Sequence, residues 1–547
     1  MQRVEERQYQ KWEELFIQSL EKQHVDTIFG SRSHPMFTSN KKDFTQYLLT
    51  HEQAILHAGD GYARATGKVG IAFIPTKYGI TNAVTGIATA QLDSVPMVVF
   101  IQQEHALDVE AIMNPICKHY FKLQQLTELP PIVEKACTLA NAGRPGVVIV
   151  EYDNKLFQRE WKENGAIKQM HIIPPKSLTI QNHQIKRIVE EIKKAKKPVL
   201  LVGGGTIISG ASKALNEFLT LTEIPFVSTL MGLGAIDVGN RLHLGMVGMH
   251  GTFAANKAVH QCDLLICLGV RFSDRITGKT KGFSPHSTKI QIEIDPVEVN
   301  KNIMVDLPII GDVKEVLEAV NQQLSTLKAG HWQEEVVTWK KTSPQFSYST
   351  SELKPDSIIQ CLYKNAEDHV IVTTDVGQHQ MWTALHFPFQ QPRHFLTSGG
   401  FGTMGYGLPA AIGAAVCQPN QPVVCVSGDG SIQMNIQELL TVAKYRLNIK
   451  IAILRNGYLG MVRQWQQLFY KHKYSQVKIA SPDFLLLAKS FGIKAFQITA
   501  KDNLEKIMEE AFQIDGPVLL DFLIEEEVNV YPIVPPGGNN TDAISGE

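Results

Sequence analysis

An excess of charge of either sign is missing from this 547-residue sequence: 53 Lys and Arg stand against 54 Asp and Glu, a formal net charge of -1. No global basic field is present to hold nucleic acid or an anionic membrane. Long apolar runs are missing too. Those over residues 96–101 and 451–454 fall far short of the roughly 20 residues a spanning helix needs. The charged, amphipathic start, MQRVEERQYQKWEELF, lacks the apolar stretch of a secretory signal. Cysteine is scarce, seven in all with no C-x-x-C pair, which argues against a disulfide framework or a structural zinc site. The expectation is a cytoplasmic protein with neither nucleic-acid nor membrane partners.

What is present has a globular composition, 44% hydrophobic and 20% charged, and a length that predicts about three to four domains. Two polar, Pro-containing joints, over 160–177 and 330–355, divide the chain. Around them short apolar runs alternate with helix-length amphipathic segments, the pattern of parallel α/β layers. Strands are expected over 69–75, 97–102 and 146–151 in the first block. The second block offers 198–202, 225–229, 263–269 and 289–294, and the third 370–374, 422–427, 450–454 and 517–523. The Pro/Gly-rich tail VYPIVPPGGNNTDAISGE is expected to lie over a surface.

The third block carries the strongest chemical pattern. The run VVCVS leads into Gly428-Asp429-Gly430-Ser431, and KIAIL leads into Arg455-Asn456-Gly457. An Asp between two glycines at a strand tip lets a carboxylate and bare backbone approach a ligand. Asp429 and Asn456 are 27 positions apart, at the carboxyl ends of two strands flanking a helix, where they can converge at one crevice. Two hard oxygen ligands plus a diphosphate suit Mg²⁺. Taken separately, Gly-Asp-Gly and Asn456-Gly457 are also ordinary turn sequences. Residues 400–405 satisfy G-x-G-x-x-G, but Cys425 stands where a dinucleotide site would place an acid.

The stretch GDGSIQMNIQELLTVAKYRLNIKIAILRNGYLGMVRQWQQLFY resembles the catalytic subunits of acetolactate (acetohydroxyacid) synthases, thiamine-diphosphate enzymes. So do TDVGQHQMW, TSGGFGTMGYGLPAAIGAA, GMVGMHGTFAANKAV, GVRFSDRITG and VYPIVPPGG. The resemblance covers nearly the whole chain, strongly in the second and third blocks and only in parts of the first. It implies an α/β fold of three doubly wound parallel-sheet domains. These would be a pyrimidine-binding domain over 1–165, a central FAD-binding-like domain over 180–335, a diphosphate- and Mg²⁺-binding domain over 355–530, and a C-terminal tail over 531–547. The activity it implies is decarboxylation of pyruvate on thiamine diphosphate and ligation of the hydroxyethyl unit to a second 2-ketoacid, giving 2-acetolactate. Two other readings stay open: another 2-ketoacid decarboxylase or carboligase on the same scaffold, and a weakly active cofactor-binding homologue that serves as a partner subunit.

By that resemblance Asp429 and Asn456 hold Mg²⁺, with the Tyr458 carbonyl as a further ligand. Val376, Gly377, Gln378 and His379 meet the diphosphate, Met404 is the wedge that bends the cofactor, and the Gly402 backbone meets its aminopyrimidine. Gly428, Gly430, Ser431, Leu459, Gly460, Met461 and Val462 complete the cofactor set. Arg275, Met461 and Trp465 match positions near the second ketoacid. FAD, which many of these enzymes bind without using its redox chemistry, would take Arg144, Gly203, Gly204, Gly205, Thr229, Leu230, Met231, Met249, His250, Gly251, Arg271, Asp274, Arg275, Glu293, Asp295 and Asp312.

In the first block Thr50-His51-Glu52-Gln53 reads as the start of a helix that stops at Gly67, with Thr50 and Gln53 fitting a capping box. The resemblance makes Glu52 the carboxylate that hydrogen-bonds the cofactor's pyrimidine ring, and Gln103 a second catalytic residue. It also places the glutamate and the metal motif of one site on different subunits. A homodimer or homotetramer is implied, with room for a small regulatory subunit. Four departures stand out. Arg455 replaces the first of two usual asparagines, and the family's glycine-rich GYPGGA is Gly30-Ser31-Arg32-Ser33-His34-Pro35. Its SGPG is Thr76-Lys77-Tyr78-Gly79, and a shortened loop puts Glu104-His105 at a usual Phe-Gln pair.

Overall fold

A strand in the middle of a parallel sheet is covered on both faces and reads as an unbroken apolar run, whereas an edge strand tolerates polar residues. The computed structural model describes residues 14–31, 45–74, 79–103, 106–153, 155–156, 180–327, 330–342, 353–366 and 369–546. Its strands sort by that rule into three six-stranded sheets. The first contains β1 (Thr27–Ser31), β2 (Thr45–Leu49), β3 (Gly70–Ile74), β4 (Met97–Gln102), β5 (His119–Leu123) and β6 (Val147–Tyr152), in the order β2-β1-β3-β4-β6-β5. The second contains β7 (Pro198–Val202), β8 (Phe226–Ser228), β9 (His243–Met246), β10 (Leu264–Leu268), β11 (Thr288–Glu293) and β12 (Leu307–Ile310), in the order β12-β11-β10-β7-β8-β9. The third contains β13 (Ile371–Thr374), β14 (Phe395–Leu396), β15 (Val423–Gly428), β16 (Ile449–Arg455), β17 (Lys494–Ile498) and β18 (Val518–Leu523), in the order β14-β13-β15-β16-β18-β17. All neighbours within the sheets pair parallel.

Each sheet has a place where the chain order reverses between neighbouring strands: β1/β3, β7/β10 and β13/β15. Ligands of doubly wound sheets bind in the crevice that such a reversal opens at the carboxyl ends of the strands. Every strand expected from the sequence is present. The strands it did not announce are β1 and the six at sheet edges.

The first and third sheets are joined through helix Glu52–Thr66, which crosses helix Gly407–Cys417 at backbone distance. A Cβ on Gly61 would overlap the Ala410 carbonyl, and one on Gly413 would overlap the Ala58 carbonyl. Beside this crossing Arg64 Nε donates to Asp60 Oδ1 at 2.6 Å and Nη2 to Asp93 Oδ2 at 2.8 Å. Its Nη1 donates to the Thr397 carbonyl at 3.1 Å, and Tyr406 Oη donates to Asp60 Oδ1 at 2.6 Å. Both carboxylates are fully buried.

Two local expectations change. The N-cap of the Glu52 helix is His51, not Thr50: the His51 Nδ1 accepts from Gln53 N–H at 3.2 Å. Thr50 is drawn away because its N–H and hydroxyl both donate to Glu438, across the domain boundary. The expected C-terminus holds, with Gly67 at φ 75°, where a Cβ would be strained. In the second joint, residues expected to be irregular form helix His331–Thr342, whose buried Trp332 donates from Nε1 to the Pro198 carbonyl at 3.0 Å. The first joint lies outside the described residues apart from its flanks. The tail packs on the second sheet's loops: Val534 N–H donates to Met249 O at 2.8 Å and Lys279 N–H to Gly538 O at 2.9 Å. Among the described residues no helix is long and apolar enough to cross a membrane.

Candidate active site

Asp429 follows β15 directly, at the start of the one-turn helix Asp429–Ile432, and Asn456 follows β16. These strands are parallel neighbours, with Gly428 opposite Leu454, so the two side chains leave the same edge of the sheet. Asp429 is 1% exposed. Its Oδ2 accepts from Gly457 N–H at 3.0 Å and from the Ser481 hydroxyl at 2.6 Å. Burial pushes the Asp429 carboxyl above its ordinary range, and those two donors pull it part of the way back. Asn456 is buried; its Nδ2 donates to Gln378 Oε1 at 3.2 Å, and its Oδ1 accepts from Tyr458 N–H at 3.1 Å. The Asn456-Gly457 pair therefore ends a parallel strand, with Gly457 at φ 72°, and is not a hairpin turn.

The third wall comes from β13 and helix Gln378–His386. His379 is buried, and its Nε2 has no hydrogen-bond partner among the described residues. Burial depresses its pKa to about 3, so the ring is neutral. Glycines admit this ring: a Cβ on Gly428 would come 2.8 Å from its Nδ1, and one on Gly377 2.9 Å from its Cε1. Ser431 Oγ donates to the Val376 carbonyl at 2.9 Å, tying the β15 tip to the β13 tip. Gly430 faces the Leu459 and Ile479 side chains.

Met404 is half-buried on a loop pinned at both ends. Asp375 accepts from Val376 N–H at 2.9 Å, Gly405 N–H at 2.8 Å and Gly407 N–H at 3.2 Å. Burial pushes the Asp375 carboxyl up to about 6, against those three bonds. Asn435 Nδ2 donates to the Gly405 carbonyl at 2.7 Å. Gly402, at φ 71°, is exposed. Leu459, Gly460, Met461, Val462 and Trp465 lie on or just before helix Gly460–Phe469. Within the same helix Arg463 and Gln464 are buried and bind the 528–530 backbone. Arg275 belongs to the second sheet, where its Nη1 lies 3.6 Å from Met249 Sδ. The tail, bound to Gln464 at Val530 and to Met249 at Val534, links the two regions.

These groups fit a magnesium diphosphate. Among the described residues no three His, Cys, Asp or Glu side chains converge on a metal site, so a cation here needs oxygens from elsewhere, as Mg²⁺ usually takes from phosphate. The buried His379 Nε2, without a partner among the described residues, can donate to an anionic group when it carries the ring proton, and Gly377 and Gly428 make room for that ring. Arg455, the departure beside Asn456, turns to the sheet interior. Successive strand side chains point to opposite faces, and Arg455 Nη1 donates to the buried Asp521 Oδ2 at 3.1 Å.

Glu52 is half-buried at the first position of its helix, where Asn82 Nδ2 donates to its Oε2 at 3.0 Å. A Cβ on Gly79 would overlap the Glu52 carboxylate. Gln103 follows β4; its N–H donates to the Tyr152 carbonyl at 2.7 Å, and it lines a cavity of about 210 Å³ with Asp108, Glu110, Lys122 and Glu151. The altered loops follow β1, β3 and β4, adjacent strands at the reversal of the first sheet. Arg32, Ser33, His34, Pro35, Thr76, Lys77, Tyr78, Glu104 and His105 lie outside the described residues.

The positions matched to FAD fall mostly after the carboxyl ends of the second sheet's strands. Gly203, Gly204 and Gly205 follow β7, and Cβ atoms on Gly203 and Gly205 would collide with Gly269 after β10. Thr229, Leu230 and Met231 follow β8, and Met249, His250 and Gly251 follow β9. Arg271 and Asp274 follow β10. The half-buried Arg271 donates from Nη1 to the Leu92 carbonyl, and the exposed Asp274 opens a short helix. Glu293 ends β11, and burial pushes it up to about 7. Asp312, after β12, accepts from Lys314 and Glu315 N–H. Arg144 reaches in from the first domain and pairs with Asp295 at 3.2 Å and Glu298 at 3.3 Å.

Sequence reasoning missed Ser481, Asp375 and Glu438. No local pattern announces Ser481; Asp375 stands inside the quoted TDVGQHQMW and Glu438 inside the metal stretch, yet their partners are distant in sequence.

Comparison with known proteins gives three matches to thiamine pyrophosphate enzyme profiles: the N-terminal TPP binding domain over residues 10–126, the central domain over 185–320 and the C-terminal TPP binding domain over 375–522. The acetolactate synthase isozyme 2 large subunit of Escherichia coli K12 is 40% identical over 96% of this chain and 98% of its own length. The acetolactate synthase large subunit of Haemophilus influenzae is 39% identical, covering 97% of each chain. The E. coli isozyme 3 large subunit is 38% identical, covering 96% of each.

Proposed function

The chain belongs to the thiamine pyrophosphate enzymes, within the acetolactate synthase large-subunit family, and from that membership we propose that it ligates the two-carbon unit of pyruvate to a second 2-ketoacid, forming 2-acetolactate when that acid is pyruvate. The observation that carries the reading is the meeting of Asp429 and Asn456 at adjacent strand tips, beside a buried His379 nitrogen that has no partner among the described residues. Thiamine diphosphate, when bound, supplies the electron sink that decarboxylating a 2-ketoacid needs.

The chain's own groups do the rest. Asp429 and Asn456 would hold Mg²⁺ with help from the Tyr458 carbonyl, and His379, Gln378 and the Gly377 backbone would receive the diphosphate. Met404 would pack against the bound cofactor. Glu52 would hydrogen-bond its pyrimidine ring. Arg275 clamps the carboxylate of the second ketoacid against Met461 and Trp465. Glu52 is held against Gly79 and Asn82, and the site is completed by Glu52 of a second copy. The glycine turn at Gly203 and the loops around it fit FAD in a non-redox role. The relatives are named large subunits, which supports a small regulatory partner.

Pyruvate turnover with thiamine diphosphate and Mg²⁺ tests the reading, with acetolactate measured against free acetaldehyde. Acetolactate is expected to dominate; aldehyde alone refutes the ligase assignment. Asp429→Ala is expected to abolish calorimetric cofactor binding, whereas Glu52→Gln keeps binding and loses turnover.

A further inference from the structure

Glu438 ends the 3-10 helix Gln433–Glu438, nine positions after Asp429 and on the same continuous segment. It is fully buried. Its Oε1 accepts from Thr50 N–H at 3.1 Å, from His51 N–H at 3.1 Å and from the Thr50 hydroxyl. Its Oε2 accepts from the Thr441 hydroxyl at 2.6 Å. Tyr445, a little further along, accepts the Leu48 N–H on its Oη at 3.0 Å, and its ring packs edge-on against Tyr47.

The donors are the two backbone N–H groups immediately before Glu52. A helix start has unpaired N–H groups, and a local side chain usually serves them. Here His51 caps its own helix through Gln53, while a carboxylate from another domain fixes the two preceding peptide units. Those two peptides set the direction in which the helix, and with it the Glu52 side chain, enters the space beside Gly79 and Asn82.

We propose that Glu438 is a positioning residue for Glu52: from the segment that begins with Asp429, it clamps Thr50 and His51 and thereby holds the Glu52 carboxylate in its working direction. This rests on the role given to Glu52 above. A displacement of about 1 Å in an acting group can cost roughly a hundredfold in rate, so one clamp suffices to matter. If two chains share each site, the clamp also ties the metal segment of one site to the glutamate of the other.

The test substitutes Glu438→Met, which fills the space without accepting a hydrogen bond, and Glu438→Gln, which keeps an acceptor for both N–H groups. In the cofactor-free protein, hydrogen exchange at the Thr50 and His51 amides is expected to accelerate about tenfold or more in the Met variant and little in the Gln variant. With thiamine diphosphate, Mg²⁺ and pyruvate, the Met variant should lose about ten- to a hundredfold in kcat, with cofactor Kd and pyruvate KM nearly unchanged. The Gln variant should recover most of that loss. Added to Glu52→Gln, the Met substitution should cost nothing further, since residues acting as one unit are not additive. Unchanged exchange and kcat in the Met variant overturn the proposal, as does a cofactor Kd that weakens in step with kcat. If the Met variant does not fold, Thr50→Ala removes one bond from the other side; a kcat loss of several fold at constant Kd supports the proposal, and no loss overturns it. Full activity of Glu52→Gln alone would instead remove the role assigned to Glu52.

Discussion

Arg64 offers the sharpest energetic test of how the first and third sheets are held together. Its guanidinium serves Asp60, Asp93 and the Thr397 carbonyl at once, with the side chain only 12% exposed and both acids at 0%. Arg64→Met leaves two buried carboxylates facing an apolar stem. Breaking one buried pair costs about 3–5 kcal/mol, and two acids losing one cation put the expected loss at the upper end. Asp93 is partly protected, because Gly399 and Gly400 N–H donate to it at 3.3 and 2.6 Å. Asp60 keeps only the Tyr406 hydroxyl among the side chains described around it. The triple variant Arg64→Met/Asp60→Leu/Tyr406→Phe removes the less protected carboxylate and the hydroxyl that would lose its acceptor, leaving Asp93 on the Gly399 and Gly400 N–H groups. It should return to within about 1–2 kcal/mol of the parent, since apolar replacement of a buried ionic cluster is often neutral. Urea unfolding of the cofactor-free protein measures both variants. A single-variant loss below about 1 kcal/mol, or a triple variant no better than the single one, refutes the reasoning.

Ser481→Ala removes the hydroxyl donating to Asp429 Oδ2 and should weaken Mg²⁺ binding about ten- to a hundredfold, the usual size for a partner that orients a metal ligand; calorimetric Mg²⁺ titration checks it. Lys450, fully buried in β16 with its Nζ donating to the Ile514 and Gly516 carbonyls, has its pKa lowered by burial from 10.5 to about 8. The unfolded chain then binds more protons between pH 8 and 10.5, so this group's contribution to stability rises with pH across that window. Urea midpoints of the parent and Lys450→Met, compared at pH 8 and 10, should separate in that direction. Arg455→Asn, which restores the residue usual at that position, leaves Asp521 with the Gln497 amide at 3.1 Å but without its cation and should cost about 3 kcal/mol, the lower end for breaking a buried pair. Burial already raises the Asp521 carboxyl, so the variant's stability should fall further as pH rises through its raised pKa; urea unfolding across pH measures both effects.

The strands legible in the sequence are those covered on both faces, and the reason is physical. PVLLV of β7 and the apolar run VVCVS in β15 are buried along their length and have no polar residue to place except toward a strand end. The overlooked β5 (HYFKL) and β17 (KAFQI) sit at sheet edges with exposed residues between apolar ones, and β12 carries Pro308, which an edge tolerates because one side needs no partner. β1 is the exception: TIFGS is buried, but it is short and its glycine breaks the pattern. The site divides in the same way. Asp429 and Asn456 were legible because strand tips present their residues in sequence order at a fixed edge, so spacing along the chain translates into proximity. Ser481, Asp375, Asp93 and Glu438 act across the fold. Asp93 reaches Gly400 across 307 positions and Glu438 reaches Thr50 across 388, and no local pattern encodes such a pairing. The helix start shows what that costs: Thr50 and Gln53 satisfied a capping box on paper, yet a carboxylate from another domain took Thr50 and left the cap to His51. Long-range partners therefore decide how the Glu52 helix begins, while the local sequence decides only that it does.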